Sequence, residues 1–471
     1  MVAATDPDAD TVPPKPETRN PKPETRNPKP ETPIARILLT TIGSAGDVHP
    51  FVAIAITLRE RGHEVLILTN PYFKDRILGA GIGFWPLGSA ETYQRLIKDP
   101  RLISGARSPS FVIDELITPA FAPTIDAIRQ IQIAFKPDVL ASHHIAFGAA
   151  AAAELLHIPH VQCVLAPLFW FSRHEKIAMP SLPFPDAPPL IDRALRQLAR
   201  FIGRHTFDPA INRLRKDVGL PPQRDLISRA ARGGDGVAPR ERLSDPSKGT
   251  PTLALWSPQF RGTLADDPCT GTICGFSTWD RPPTLADDID RERDSIRWME
   301  SGAPPVVVTL GSSVSHHGAD VYRLAAQACA RAGKRALLLT GGSADDSTWP
   351  EHVRAVPYAS YSRVMPRGCV TVHHAGIGTL AAAMRAGVPE IIIPFANDEF
   401  DNAARAQRLG VATVIKRRKL TVRSLAEAIS HATQNKSMVE RSGQLGAAMQ
   451  PENGAICAAD IIETIVNQSR R

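Results

Sequence analysis

The stretch from Val370 to Asn402, VTVHHAGIGTLAAAMRAGVPEIIIPFANDEFDN, constrains the fold more than any other, because its hydrophobic period changes twice within one short span. Apolar and β-branched residues running up to His373 make a short buried strand. His374, Gly376, Gly378 and Thr379 then form a polar, glycine-broken turn into the helix-forming run LAAAMRA, and Gly387 stands where a glycine ends a helix. EIIIP is the next buried strand, closed by Pro394. Such a β-turn-α-β unit belongs to a parallel sheet covered by helices. A helix start opened by glycine exposes unpaired backbone N–H groups and the positive end of the helix dipole, so the turn predicts a pocket for a diphosphate. His373, the last strand residue, suits a packed core position as well as a ligand contact.

The same pattern recurs along the chain. Ile37–Thr41 is a strand, Gly43–Gly46 a turn, and Pro50–Arg61 a helix with Phe51, Ile54, Ala55 and Leu58 on one face; Gly62 ends it and Glu64–Thr69 is the next strand. PDVLASHHIAFGAAAAAELLHIPHVQCVL gives a further unit, with His143 and His144 ending its first strand. PPVVVTLGSS, leading into Gly311-Ser312-Ser313, and RALLLTGG give strands of a second set. A chain of 471 residues exceeds one core, and its 43% hydrophobic content is that of an ordinary globular protein, so two α/β domains are expected.

Their limits follow from composition. Residues 1–34 carry the repeat PKPETRN, proline and polar residues that make an extended tail rather than a core. The first domain spans 35–260, with a glycine- and charge-rich loop from Ala231 to Thr250; 261–283 is irregular and reads as a linker; 284–453 is the second domain; and 454–471 holds a final helix. The net charge of +7 is spread along the chain, and its densest patch, Lys416 to Lys419, suits a solvated turn, which argues against a nucleic-acid partner. Six cysteines without metal-ligand spacing are expected to be reduced and structural. No apolar run reaches the length of a membrane span and the N-terminus has no hydrophobic signal region, so a cytoplasmic protein is expected. Asp288 and Asp290 have the spacing of a metal-binding acid pair, but at a helix start acids complement the dipole, and no metal site is assigned to them.

The HHAGIGT turn, the AGVP helix end, Pro394 and the run PFANDEFDNA, together with GSAGDVHPFVAIAITLRERGHEV near the start, stand in the order and spacing of a known family. They resemble nucleotide-sugar-dependent glycosyltransferases of the GT-B kind, nearest to the rhamnosyltransferases that modify hydroxy-fatty acid lipids and to sterol and glycopeptide glucosyltransferases. The resemblance covers residues 35 to about 468. It implies an α/β fold of two doubly wound Rossmann-like domains facing a cleft, the first holding an apolar acceptor and the second a nucleotide diphosphate sugar, with the last helix packed back on the first domain. It implies no metal and no resident cofactor, and its lipid branch leaves room for contact with the inner face of a membrane. Carried over by position, the donor contacts are Gly46, Ser312, Tyr358 (a ring against the base), Ala359 (backbone to the base edge), His374, Gly376, Gly378, Thr379, Asp398 and Glu399. Glu399 replaces a frequent glutamine, and Ala382 stands where many members place a ribose-binding glutamate.

Sugar transfer needs a base for the acceptor hydroxyl. Asp47, at the first strand-to-helix turn, is the candidate, with His49 as its rival and His143 or His144 as a partner. The competing role for Asp47 is a helix cap, since aspartate is favoured at helix starts. Two apolar segments, Gly105–Arg129 and Leu165–Phe171, are expected to line an acceptor pocket in aggregate, although each residue alone suits the core. Two other classes fit the same motifs: an inactive partner-binding protein of this fold, disfavoured by Asp47 and the complete diphosphate turn, and a sugar-nucleotide epimerase, which needs no apolar pocket.

Overall fold

Runs of Val, Ile and Leu build the strands, and their burial on both faces is what a parallel sheet between helix layers requires. The computed structural model describes residues 34–470 except 171, 173, 180–188, 225–249, 282–285 and 344–348. The proline-rich repeat, most of the 231–250 loop, Phe171 and the last two residues of the expected linker lie outside the described residues. From Ala35 onward the chain forms one compact unit.

The first sheet holds β1 (Arg36–Thr40), β2 (Glu64–Thr69), β3 (Gly83–Pro86), β4 (Val139–His143), β5 (His160–Val164), β6 (Thr252–Ala254) and β7 (Gly271–Ile273), in the order β3-β2-β1-β4-β5-β6-β7. The second holds β8 (Val306–Thr309), β9 (Ala336–Leu339), β10 (Val353–Val356), β11 (Val370–His373), β12 (Glu390–Ile392) and β13 (Ala412–Val414), in the order β10-β9-β8-β11-β12-β13. Every pairing is parallel. In each sheet the first strand lies between the second and the fourth, so the winding reverses at β1/β4 and again at β8/β11. Connections diverge at such a point and leave a crevice at the carboxyl ends of the strands.

The helices that matter here are α1 (Ala45–Glu60), α2 (Thr118–Ala134), α3 (Phe147–Leu156), α4 (Ala286–Glu300), α5 (Ala319–Arg331), α6 (Ile377–Ala386), α7 (Glu399–Arg408) and α8 (Gly454–Ser469). As expected, α8 returns to the first domain: Ala458, Ile462 and Val466 join a core cluster with Phe51, Ile37 and Ile67. Arg61 pairs with Asp460 at 2.7 Å and His63 with Glu463 at 2.9 Å beside it. A second cluster joins the domains themselves, combining Val164, Trp170 and Trp256 with Ala375, Leu380 and Ala403.

The elements depart from the sequence reading in two places. The expected linker contains β7, a three-residue strand too short to show a period. α1 begins at Ala45, not at Pro50, because Ser44 takes the N-cap position and the proline is accommodated inside the helix. Pro50 has no N–H to give the carbonyl of Gly46, one turn back, and that loss falls at the end of the helix facing the crevice.

Candidate active site

Asp47 and His143 come from opposite sides of the first reversal point. Asp47 is in the first turn of α1, and Ser44 donates to its Oδ2 from the backbone N–H at 2.6 Å and from the hydroxyl at 3.0 Å. Ser44, not Asp47, is the cap, and Asp47 serves the helix start from the third position by accepting back from Ser44, which occupies one oxygen. The other, Oδ1, faces His143 Nε2 at 3.8 Å, and the side chain keeps 29% of its exposure, enough to meet a substrate. Burial raises the Asp47 pKa to about 6 against the lowering effect of the two Ser44 hydrogen bonds. His143 is buried at the end of β4 with Nδ1 3.1 Å from the Ile42 carbonyl, which assigns the ring proton to Nδ1 and leaves a lone pair on Nε2. Burial pushes its pKa down to about 3.

The other histidines stand apart from Asp47. His144 packs against the His143 and Phe169 rings at 4.4 and 4.0 Å. His49 meets Trp279 edge-on at 5.0 Å, and burial, then Arg76 and Arg281, lowers its pKa to about 3. An imidazole held so firmly neutral is a poor proton acceptor, which leaves Asp47 ahead of its rival. Of the segments expected to line an acceptor pocket, Phe111, Ile117, Phe121 and Trp170 are buried, while Leu116 and Phe169 are half-buried.

The residues expected to hold the donor gather at the second reversal point. His374 follows β11 as a buried imidazole whose Nδ1 has no partner among the described residues; burial, then His373, pushes its pKa down to about 3. Glycines make room for this ring. A Cβ on Gly311, which sits at φ +61°, would lie 2.5 Å from His374 Cε1 and 3.3 Å from Thr379 Oγ1, and one on Gly376 would strike His374 Nε2. Ser312 is half-buried in the one-turn helix Gly311–Val314 that follows β8. Gly376 caps α6 and Gly378 lies in its first turn, where a Cβ would come within 3.9 Å of Gly46 Cα. The starts of α1 and α6 thus lie against each other where the two domains meet.

His373 proves to be a bracket for this turn. Ala375, a residue with a Cβ at φ 73°, donates its N–H to His373 Nδ1 at 3.1 Å, so the ring proton is on Nε2 and goes to Glu390 Oε2 at 2.7 Å. Left-handed backbone at such a residue costs about 1–2 kcal/mol, and Asn402 helps hold it by donating to the Ala375 carbonyl at 3.0 Å. Asn402 also donates to Asp398 Oδ2 at 2.8 Å. Asn402 has no role assignable from the sequence alone; its four-residue spacing from Asp398, one helical turn, is the signal that pairs them.

The remaining expected donor contacts need correction in two cases. Glu399 turns one oxygen inward, where Oε2 accepts the N–H groups of Phe395 and Ala396 at 2.6 and 3.0 Å, and burial raises its pKa to about 8. It braces the loop bearing Asp398, leaving at most Oε1 for a sugar. Asp398 is half-buried, and burial raises its pKa to about 6, with the Asp47 charge adding to the shift. Tyr358 donates to the Arg281 carbonyl at 2.9 Å and carries the Arg281 guanidinium 4.3 Å over its ring, so one face of the ring expected to lie against the base is taken by the linker. Ala359 is fully buried beside it. Asp288 and Asp290 lie at the start of α4 and pair with arginines, Asp290 with Arg293 at 3.2 Å.

Two families match this chain in order: the glycosyltransferase family 28 N-terminal domain over residues 37–161, and the erythromycin biosynthesis protein CIII-like C-terminal domain over residues 337–465. The chain is a glycosyltransferase of the GT-B kind. The transferase is 29% identical to O-mycaminosyltylonolide 6-deoxyallosyltransferase of Streptomyces fradiae, across 91% of this chain and 97% of that one. It is 27% identical to a sterol 3-beta-glucosyltransferase of Aspergillus fumigatus, across 91% of this chain and 29% of that longer protein. Among solved structures it resembles in fold the glycosyltransferase VinC in complex with dTDP, with a TM-score of 0.60 at 19% identity, covering 91% of this chain and 99% of that one. An enzyme of this family displaces both the inactive-partner and the epimerase readings. No helix among the described residues is long and apolar enough to cross a membrane.

Proposed function

We propose that this transferase moves a hexose from a UDP- or TDP-linked sugar to a hydroxyl of an apolar acceptor, a polyketide or aromatic aglycone, a sterol or a hydroxy-fatty acid lipid, with inversion and without a metal. The observation that carries the reading is the partly exposed Asp47 carboxylate at one reversal point, on a helix whose start at Gly46 lies against the glycine-opened start of α6 at Gly378. In this mechanism Asp47 takes the acceptor proton as the hydroxyl oxygen bonds the anomeric carbon. The bond to the diphosphate breaks on the opposite face of the sugar. Charge growing on the leaving phosphate meets the free N–H groups and positive dipole end of α6, with neutral His374 beside them, a setting that can stabilise an anion without a cation. Donor and acceptor classes are supported by the relatives, one named for a deoxyhexose and a macrolide and one for a sterol, and by the dTDP bound to VinC.

The test is turnover. UDP-glucose, TDP-glucose and TDP-rhamnose are each offered with a macrolide aglycone, a sterol and a hydroxy-fatty acid, in the presence of a chelator. The reading requires a glycoside of inverted anomeric configuration that is lost in Asp47→Asn. A retained configuration, or dependence on an added divalent metal, overturns it.

A further inference from the structure

Two segments of the first domain cross the cleft and grip the loop and helix that carry Asp398. On one side, Ser108 Oγ lies 3.0 Å from Asn397 Oδ1. On the other, residues 174–178, which follow β5, run along α7. Glu175 accepts from Arg405 Nη1 at 2.5 Å through Oε2 and from Arg261 at 3.3 Å through Oε1, and the Ala178 N–H donates to Asp401 Oδ1 at 3.1 Å. Arg405 Nε is 2.6 Å from Asp401 Oδ2, and Arg261 reaches Asp267 at 2.5 Å. Charges of alternating sign, Asp267, Arg261, Glu175, Arg405 and Asp401, therefore run from one domain into the other. Arg261, Arg405 and Asp401 are at most 5% exposed.

A buried chain of this sort adds little net stability, because desolvation offsets the attraction between the charges, but the planar guanidinium forks fix geometry closely. What is fixed here is α7. Its Asn402 binds both Asp398 and the Ala375 carbonyl, which ties the acidic loop to the diphosphate turn, while Arg405, one turn further on, ties the same helix to the acceptor-side domain. The position of Asp398 is thus set from both domains at once.

We propose that Glu175 and Arg405 are positioning residues for the donor's sugar: the acceptor-side segment 174–178 holds α7 so that Asp398 meets the sugar. The inference rests on the donor reading of the α6 turn and the acidic loop. It separates two affinities, since the nucleoside diphosphate is held by α6, whereas the sugar depends on the clamp.

Calorimetry with four probes, UDP, UDP-glucose, TDP and TDP-glucose, reads both. The quantity of interest is the ratio of the diphosphate Kd to the sugar-nucleotide Kd. Glu175→Gln is the mildest change, because Arg261 and Arg405 keep Asp267 and Asp401. Arg405→Lys keeps the charge while losing the fork that spans Asp401 and Glu175. In whichever of these variants melts cooperatively, the Kd for the diphosphate is expected to stay within about twofold. The ratio should move against the sugar nucleotide by roughly 5–150-fold, the usual span of coupling between linked sites. Arg423→Gln, at an exposed pair with Glu427, should change neither. An unchanged ratio in a folded variant overturns the inference, as does a parallel loss for diphosphate and sugar nucleotide, which marks a contact that only holds the fold. If wild-type protein binds neither diphosphate, the donor reading itself fails and this inference with it.

Discussion

Asp47 Oδ1 and His143 Nε2 are 3.8 Å apart, one from each side of the first reversal point. With the His143 proton committed to the Ile42 carbonyl, the two atoms are both acceptors, and they repel unless a proton lies between them. In the proposed reaction the acceptor hydroxyl supplies such a proton. Burial raises Asp47 to about 6 and lowers His143 to about 3, so the proton comes to rest on the carboxyl group while His143 offers it a lone pair. A carboxylate tuned in this direction is a better base than a solvated aspartate of pKa about 3.9.

Asp47→Asn separates the base from the cap. The amide oxygen can still accept from Ser44, so the start of α1 should survive. Removing a positioned base lowers turnover by about 10²–10⁴-fold, with the donor Kd nearly unchanged. Because the folded pKa of Asp47 is raised, its contribution to stability is present below about pH 4 and lost as pH rises through about 6. At pH 7.5 the asparagine variant is therefore expected to melt no lower than wild type. A folded variant with near-normal single-turnover chemistry would move the base elsewhere.

The same shift predicts the pH profile. kcat/KM should rise with pH to a plateau, with its lower limb near 6. His143→Gln, whose amide N–H favours the charged carboxylate, should move that limb down by about one unit, the effect of a hydrogen bond of about 1.4 kcal/mol. A limb that stays in place would show that His143 and Asp47 do not share a proton.

Much of this was legible because it is local. Val370 to Asn402 and the β1-α1 unit place their strands, turns and helices by period and by glycine, and Asp47 and His374 follow from position within those units. What escaped depends on contacts distant in sequence or on the direction of one side chain. β7 is an edge strand of three residues recognised by its pairing with β6. Glu390 was invisible as the partner of His373, since 17 residues separate them. Glu175 carries no local sign that Arg405, 230 residues away, will meet it. The resemblance implies that Glu399 contacts the sugar beside Asp398, but the loop turns it toward two backbone amides.

The diphosphate turn makes a prediction about additivity. His374→Ala removes one donor to a charged phosphate and should weaken nucleoside diphosphate binding about ten- to a hundredfold. Gly376 lies at φ −56°, where alanine is tolerated, yet its Cβ would displace the His374 ring. Gly376→Ala should therefore weaken binding in the same range, and the double variant should lose little more than either single one, because one contact is lost once. Calorimetry on the three variants decides, and additive losses would mean that Gly376 acts through something other than His374.

Glu399→Gln tests whether this residue braces its loop or touches the sugar. A glutamine oxygen can accept the Phe395 and Ala396 N–H groups as Oε2 does, so the loop should keep its shape. The folded pKa of Glu399 is raised to about 8, so the wild-type side chain stabilises the fold most below about pH 4.5, and that contribution is lost as pH rises through about 8. The glutamine does not titrate. Its melting temperature relative to wild type should therefore climb between pH 5 and pH 8, while the relative use of glucose and rhamnose donors stays within about twofold. If donor preference changes strongly while the melting difference stays flat with pH, then Oε1 is a sugar contact and bracing the loop is the lesser part of what Glu399 does.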